Sequence, residues 1–413
     1  MVDKTQHTQG VTTPRSLFNR VFVLLNLSYF LVFSNVALFY LFPLALDGMG
    51  AGSRTIGWVM GLFSLAAVLS RPLMGVLAST KGEFPLMSGG MLVMLLATAC
   101  YPFLETVGPV MYTVRVVHGV GFSAFVGGSF SAVAALFPGD RRAEAYGMVG
   151  ASLMAAVAIA PPVGEILIGR FGFPFLYVIG CGVIALAWAA LSGASGLAAT
   201  RGARRSGGRS RFGLLIRDAS FIFLLVSTLI FAHCQSTVFN FLALTAERQD
   251  AAAGPFFFLA FMLAIVILLA MGRVIDRQGK LLFLRLFYPA LALGLLLLPV
   301  FFGRGSGWFP ALLFGAGMGF LFPGHNALAA DHGGRDDKPA VMALFTAVYD
   351  SGFITGAVVS GWIAERVGLN GLFYVTGGIA LAGLVLCLFG PIREGPSGTR
   401  RQAQKISGGL RDG

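Results

Sequence analysis

The sequence predicts an all-α integral membrane fold: twelve transmembrane helices in two six-helix bundles, pseudo-twofold related, with both termini cytoplasmic. Three observations predict it. First, apolar residues make up 56% of the 413-residue chain and charged residues 12%, against about 45–50% and about 25% in ordinary soluble domains. Second, apolar stretches of about 20 residues, the length that crosses a bilayer core, recur twelve times. Third, Gly75-Val-Leu-Ala-Ser-Thr-Lys-Gly82 returns 197 positions later as Gly272-Arg-Val-Ile-Asp-Arg-Gln-Gly279-Lys280. A motif recurring at half the chain length marks a duplicated architecture.

In order, the apolar runs cover about 20–46, 55–79, 84–104, 109–137, 144–168, 173–196, 219–245, 253–275, 281–302, 309–331, 339–363 and 370–392. Residues 1–19 are polar, and the run that follows is too long for a signal-peptide core, so it reads as a spanning helix. Several runs contain Pro or Gly, which spanning helices tolerate. The 56 glycines lie largely inside these runs, which suits close helix packing in lipid rather than loops. Residues 197–218 (GARRSGGRSRFG at their centre) separate six runs from six. The expected organisation is a tail at 1–19, a bundle at 20–196, a basic linker at 197–218, a second bundle at 219–392 and a tail at 393–413.

The net charge of +12 sits in short segments between apolar runs, so it signals membrane topology and not a nucleic-acid surface. With the N-terminus cytoplasmic, most Lys and Arg residues fall on that side. Only Arg54, Arg170, Arg248, Arg304 and Arg366 fall opposite, and Arg71 and Arg115 lie within runs. Cys100, Cys181, Cys234 and Cys387 all sit in apolar runs without ligand spacing, and read as small hydrophobes. No cofactor or metal is expected. No loop has room for a soluble catalytic domain, and no Walker loop appears.

Further motifs accompany the repeat. Run 4 carries Arg115-Val-Val-His118-Gly119-Val-Gly121, and run 5 carries Ala160-Pro161-Pro162-Val163-Gly164-Glu165. With these, the chain resembles the major facilitator superfamily over nearly its whole length. The second repeat copy keeps Gly272, Asp276, Arg277, Gly279 and Lys280 of that family's loop motif. The first keeps Gly75 and Gly82 but has Ser79 where an Asp is usual. The run 5 segment is similar to the antiporter signature G-P-x-x-G-G, with Ala160 and Glu165 as departures. The Arg71-Pro72 pair and the overall rhythm look most like bacterial arabinose-efflux and multidrug-efflux permeases. The resemblance implies a central cavity and alternating access, and for Arg115 a part in proton coupling or substrate contact.

The motif chemistry has a physical reading. Asp276 can accept from a neighbouring helix N-terminus. Arg277 and Lys280 can pair with it and with lipid phosphates, latching one conformation. Pro161 and Pro162 remove backbone donors and bend the helix, and Gly164 lets it lie flush on a neighbour.

Charges inside runs cost about 2.5–3.5 kcal/mol each on insertion scales, so each requires a role. Asp350, halfway along run 11 beside Tyr349, suits either a proton carrier or a polar contact between helices. His118 shares a face with Arg115 and could relay protons. Arg71 is expected to reach the interface, and Glu165 to snorkel outward. His233, Ser236, Thr237 and Asn240 form a stripe at helical spacing, facing either a cavity or another helix. Ser28 and Asn35 share a face of run 1. Gly315 and Gly319 form a small-residue packing contact, and His325 and Asn326 are weaker site candidates.

These observations lead to a secondary active transporter as the expected function: a proton-coupled antiporter exporting a small organic compound. Its partners would be substrate, protons and lipid. It would be a monomer, multi-pass in a bacterial cytoplasmic (inner) membrane. The alternative is a proton symporter taking up a sugar, carboxylate or peptide. A receptor or membrane enzyme fits poorly, because neither a catalytic triad nor a metal constellation is present.

Overall fold

Every apolar run of the sequence lies on a helix. A computed structural model describes the backbone of residues 19–137, 142–198, 218–332 and 337–392. It describes their side chains except at 134–135, 142–143, 196–198, 271–278 and 339. The expected tails and most of the linker lie outside these residues.

The first half of the chain holds α1 (Arg20–Leu38), α2 (Phe42–Gly48), α3 (Ser53–Lys81), α4 (Glu83–Cys100), α5 (Pro109–Leu136), α6 (Arg142–Phe171) and α7 (Phe173–Ala198). The second half holds α8 (Ala219–Arg248), α9 (Gly254–Gln278), α10 (Lys280–Phe301), α11 (Trp308–Asp331) and α12 (Lys338–Phe389). α2 continues the line of α1 after one 3₁₀ turn, and α12 is two rods joined at Gly368. Among the described residues there is no strand, and nine helical stretches are long and apolar enough to cross a membrane by length and composition. The two rods of α12 make one of these nine, and the apolar part of α9, Gly254–Ala270, is shorter.

The duplication runs deeper than the repeat in the sequence. Gly82 and Gly279 close the two motif copies with φ +91° and +103°, a region open to glycine and disfavoured for other residues. Gly172 between α6 and α7 (φ +79°) and Gly368 within α12 (φ +75°) make the same sharp reversal. With Gly50 (φ +82°) after α2 and Gly305 (φ +70°) before α11, each half turns three times on a left-handed glycine.

Each half is also stapled internally by a histidine. In the first, His118 of α5 meets Asn35 of α1 (Nε2 to Oδ1, 3.2 Å) and Tyr101, just after α4 (Nδ1 to hydroxyl, 3.4 Å). In the second, His325 of α11 meets Ser227 of α8 (2.8 Å) and Tyr288 of α10 (3.3 Å). The His325 Nδ1 faces the Leu321 carbonyl at 2.7 Å, so this nitrogen carries the proton and Nε2 accepts. Both histidines are fully buried, and their polar groups are matched within their own half.

Consecutive long helices run antiparallel, so one face of the molecule carries the start of α1 (the near face) and the other carries α2 (the far face). The halves meet along α3 against α12 and along α6 against α9. Within each half, glycines let backbones touch. A Cβ on Gly90 of α4 would lie 2.6 Å from the Gly121 carbonyl of α5, and one on Gly315 of α11 would lie 2.3 Å from the Ala260 carbonyl of α9. The second contact is the packing expected of the Gly315–Gly319 pair.

Gly90→Ala is therefore expected to destabilise the first half by about 1–3 kcal/mol, the usual cost of overpacking. Gly89→Ala, where an added Cβ would meet nothing within 4 Å, should leave the thermal midpoint unchanged or slightly raised. Thermal unfolding of the two purified variants in detergent makes the comparison.

Candidate functional site

The site is built where α3 crosses α12. On the far face Arg54 Nε meets Glu365 Oε2 at 3.0 Å, with the Arg54 guanidinium 4.0 Å from the Trp362 ring centre. One turn deeper the backbones nearly touch: a Cβ on Gly57 would lie 2.6 Å from the Ala357 carbonyl, and one on Gly61 2.5 Å from the Val358 side chain. Deeper still, Arg71 of α3 and Asp350 of α12 form an ion pair. Arg71 lies 17 residues beyond Arg54, which is about 25 Å along the helix. Among the described residues this is the one inter-half ion pair set deep between the faces. The Asp350 side chain is 15% exposed and that of Arg71 30%.

Arg71 thus does not extend to the interface as its position suggested. A carboxylate across the boundary offers a better match for its charge than a stretched path to water. Asp350 correspondingly points at Arg71, with 15% of its side chain exposed.

Aromatic rings cluster in each half near the helices that carry the pair. In the first half Tyr29 stacks on Phe33 at 4.6 Å, and Phe33 packs on Phe122. In the second, Tyr349 packs on Phe353 at 5.3 Å and Phe322 at 5.0 Å. The Tyr349 hydroxyl donates to Gln235 Oε1 at 2.7 Å. Gln235 is a contact the sequence reading missed, because it lies off the stripe of its own helix. Toward the far face Tyr40 stacks on Phe239 across the boundary, centroids 4.3 Å apart.

Arg115 is 2% exposed. Its Nε donates to the Val59 carbonyl of α3 at 3.1 Å, Nη2 meets Met60 Sδ, and its guanidinium faces the rings of Phe39, Phe42 and Phe63 at 5.2–5.4 Å. The cation is held by a carbonyl and three ring faces, and it does not snorkel. Beside it, His118 receives the Tyr101 hydroxyl and passes its bond to Asn35. The Asn35 Nδ2 donates to the Gly180 carbonyl at 3.2 Å, so the chain ends on backbone within the first half.

The stripe on α8 faces another helix. His233 Nδ1 meets Thr355 Oγ1 (3.3 Å), Ser236 donates to the Phe353 carbonyl (2.8 Å) and Thr237 meets Ser360 (2.7 Å), all on α12. Asn240 turns back to Ser236. Interhelical bonds serve His233 Nδ1, Ser236 and Thr237 where lipid could not, while His233 Nε2 is buried without a hydrogen-bond partner. Ser28 and Asn35 of α1 likewise bond to carbonyls of α7, at Ala187 and Gly180.

In the repeat motif, Ser79 is exposed and bonds its own helix at Val76, and an added Cβ at Gly75 would meet nothing within 4 Å. Lys280 reaches Asp331 of α11 at 2.7 Å; the expected pairing with Asp276 falls outside the described side chains. The side chains of Gly272, Asp276 and Arg277 lie outside those described. α6 runs unbroken through Pro161 and Pro162, and a Cβ on Gly164 would lie 2.9 Å from Leu38 and Leu41. Glu165 does not snorkel. It accepts from the Ala253 and Gly254 amides of α9, both at 2.8 Å. Two pockets of about 320 and 280 Å³ open on the far face, each inside one half. Neither includes Arg71 or Asp350.

Comparison with known proteins agrees with this architecture. The family model described as Major Facilitator Superfamily matches residues 22–349 and 308–412. The rat protein named MFS-type transporter SLC18B1 is 28% identical over 188 residues, 42% of this chain and 40% of that protein. The multi-drug resistance efflux pump PmrA of Streptococcus pneumoniae is 23% identical over 141 residues, 33% of this chain and 35% of that pump. The chain therefore spans well under half the length of these two relatives. The crystal structure of a mutant of nucleoside transporter NupG superposes with a TM-score of 0.73 at 14% identity, covering 89% of this chain and 99% of that one.

Reversing either charge of the deep pair should set like charges face to face. Arg71→Asp and Asp350→Arg are each expected to lose about 2–4 kcal/mol of stability. The double swap should recover at least half of that loss, as thermal unfolding of the three variants in detergent would report.

Proposed function

The chain belongs to the major facilitator superfamily, and within it we propose that it works as a proton-coupled antiporter exporting a small organic compound. It is a multi-pass membrane protein. In the proposed arrangement its twelve spans form bundles at 20–196 and 219–392, with both termini cytoplasmic, in a bacterial cytoplasmic membrane, and the protein acts as a monomer. The Arg71–Asp350 ion pair carries the reading. A carboxylate that bridges the halves deep in the seam and keeps some exposure can trade its partner for a proton. The trade changes how tightly α3 holds α12.

The energetics fit the scheme. Each charge moved inward across 100 mV yields about 2.3 kcal/mol, before any pH gradient is added. A ligand shifts a two-state equilibrium only through differential affinity. Proton and substrate must therefore act on the Asp350 joint in opposite senses, and an ion pair broken by either provides one place where both act. The export direction has support from the Streptococcus relative, which is named as a multidrug efflux pump. Arg115 and His118, buried and bonded within the first half, hold α3, α4 and α5 together in this scheme rather than carrying the proton.

Purified protein in proteoliposomes tests the reading with Asp350→Asn. Gradient-driven transport should fall at least tenfold, while exchange of labelled for unlabelled substrate without a gradient persists. Full gradient-driven activity in that variant would remove Asp350 from the coupling step. Accumulation of substrate along with protons would replace export by uptake symport.

A further inference from the structure

We propose that Glu165 is the positioning residue that keeps the far face shut, by capping α9 across the boundary between the halves. The carboxylate spans two backbone donors at once. Oε1 accepts from the Ala253 amide and Oε2 from the Gly254 amide, each at 2.8 Å. α9 begins at Gly254 with Pro255 in its first turn, and its own cap residue, Ala253, supplies no side-chain bond. A helix start leaves four amides without partners inside the helix and carries the positive end of its dipole. Here the missing cap comes from the other half of the chain.

Both sides of the contact are closely packed. On α6, a Cβ on Gly164 would lie 2.9–3.0 Å from Leu38, Leu41 and Leu176, so α6 is pressed onto its neighbours just before Glu165. On α9, a Cβ on Gly254 would lie 2.6 Å from Pro162 Cα, so the amides are brought up to the carboxylate by backbone contact. The other far-face ties differ in kind. Arg248–Asp47, at 3.0 Å, and Arg54–Glu365 join long side chains that are 30–64% exposed, and such pairs contribute little. The Glu165 bonds end on backbone and lie partly buried, and both oxygens make charge-assisted contacts. The run 5 segment ends in Glu where the similar signature ends in Gly, and glycine has no side chain to cap with. The inference rests on the transport reading only in assuming that the two faces open in turn.

Cysteine accessibility tests it, with the four native cysteines replaced. Phe239→Cys reports the far side, since Phe239 is 3% exposed under Tyr40. Thr346→Cys, at an exposed position one turn before Asp350, reports the near side. In detergent, with neither substrate nor gradient, Glu165→Ala should raise maleimide labelling at position 239 about tenfold, which corresponds to about 1.4 kcal/mol. Labelling at position 346 should fall. Glu165→Gln keeps one acceptor and should give an intermediate rise, and it decides the matter if the alanine variant fails to fold. Rates at 239 within twofold of the parent in the folded variants would overturn the proposal. So would a rise at both reporters together, which is the mark of general loosening. Because labelling requires no transport, this proposal and the antiport reading fail on separate measurements.

Discussion

A guanidinium and a carboxylate set deep in hydrophobic helices must find each other, and this constraint fixes how the two halves meet. Left single, either charge would lie among apolar helices, at a cost of several kcal/mol. Paired, Arg71 and Asp350 set the register of α3 on α12. Gly57 and Gly61 then fall opposite Ala357 and Val358, where small residues permit the backbones to close. The exposed pair of Arg54 and Glu365 follows at the far end of the same seam. Magnitude separates the two: solvent-exposed pairs are worth about 0–1 kcal/mol, while breaking a buried one costs several.

The members of the deep pair each belong to a rigid half. Asp350 rides on α12, which is tied to α8 by Ser236 to the Phe353 carbonyl, Thr237 to Ser360, His233 to Thr355 and Tyr349 to Gln235. Arg71 rides on α3, which Arg115 holds to α5 through the Val59 carbonyl. A Cβ on Gly119 of α5 would lie 2.3 Å from the Phe63 carbonyl, so these two backbones are also in contact. The histidine staples add a third tie inside each half. The polar bonds thus concentrate within halves, and the boundary is left with a few discrete joints.

Hydropathy alone located every long helix, because a bilayer-length apolar run has few other structures open to it. The turns were half legible. Lys81-Gly82 and Arg277-Gln-Gly279 stood out as a repeat, but Arg170-Phe-Gly172 and Arg366-Val-Gly368 share the basic residue and the left-handed glycine. Arg304-Gly305 between α10 and α11 carries the same pattern. Partners were less legible. Helical spacing put His233, Ser236, Thr237 and Asn240 on one face but could not say that α12 lay against it. Depth along a run made Asp350 conspicuous, yet its counter-ion sits 279 positions earlier, and a single sequence carries no signal of that contact. Glu165 and Arg71 depart from the snorkelling expectation for one reason. Distance to the interface suggests snorkelling, whereas a matched partner in the other half wins over a stretched route to water.

The joints are unequally placed, and that decides the order in which they can yield. On the α6–α9 side the described tie is at the far end, at Glu165 and Gly254. On the α3–α12 side there is a far tie at Arg54 and a deep one at Arg71, about 25 Å apart along the helix. If rigid halves part at the far face, displacement grows with distance from whatever contact persists. The Glu165 cap, the exposed pairs and the Tyr40–Phe239 stack lie at the opening end and must separate. The deep pair lies toward the other end and can stay closed through much of that motion. It then acts as the fulcrum, and a fulcrum made of opposite charges is stiff only while both are present. Protonation of the carboxylate removes the attraction but leaves the helices in contact. The same chemistry that would let Asp350 bind a proton would thus also set how freely the halves turn about it.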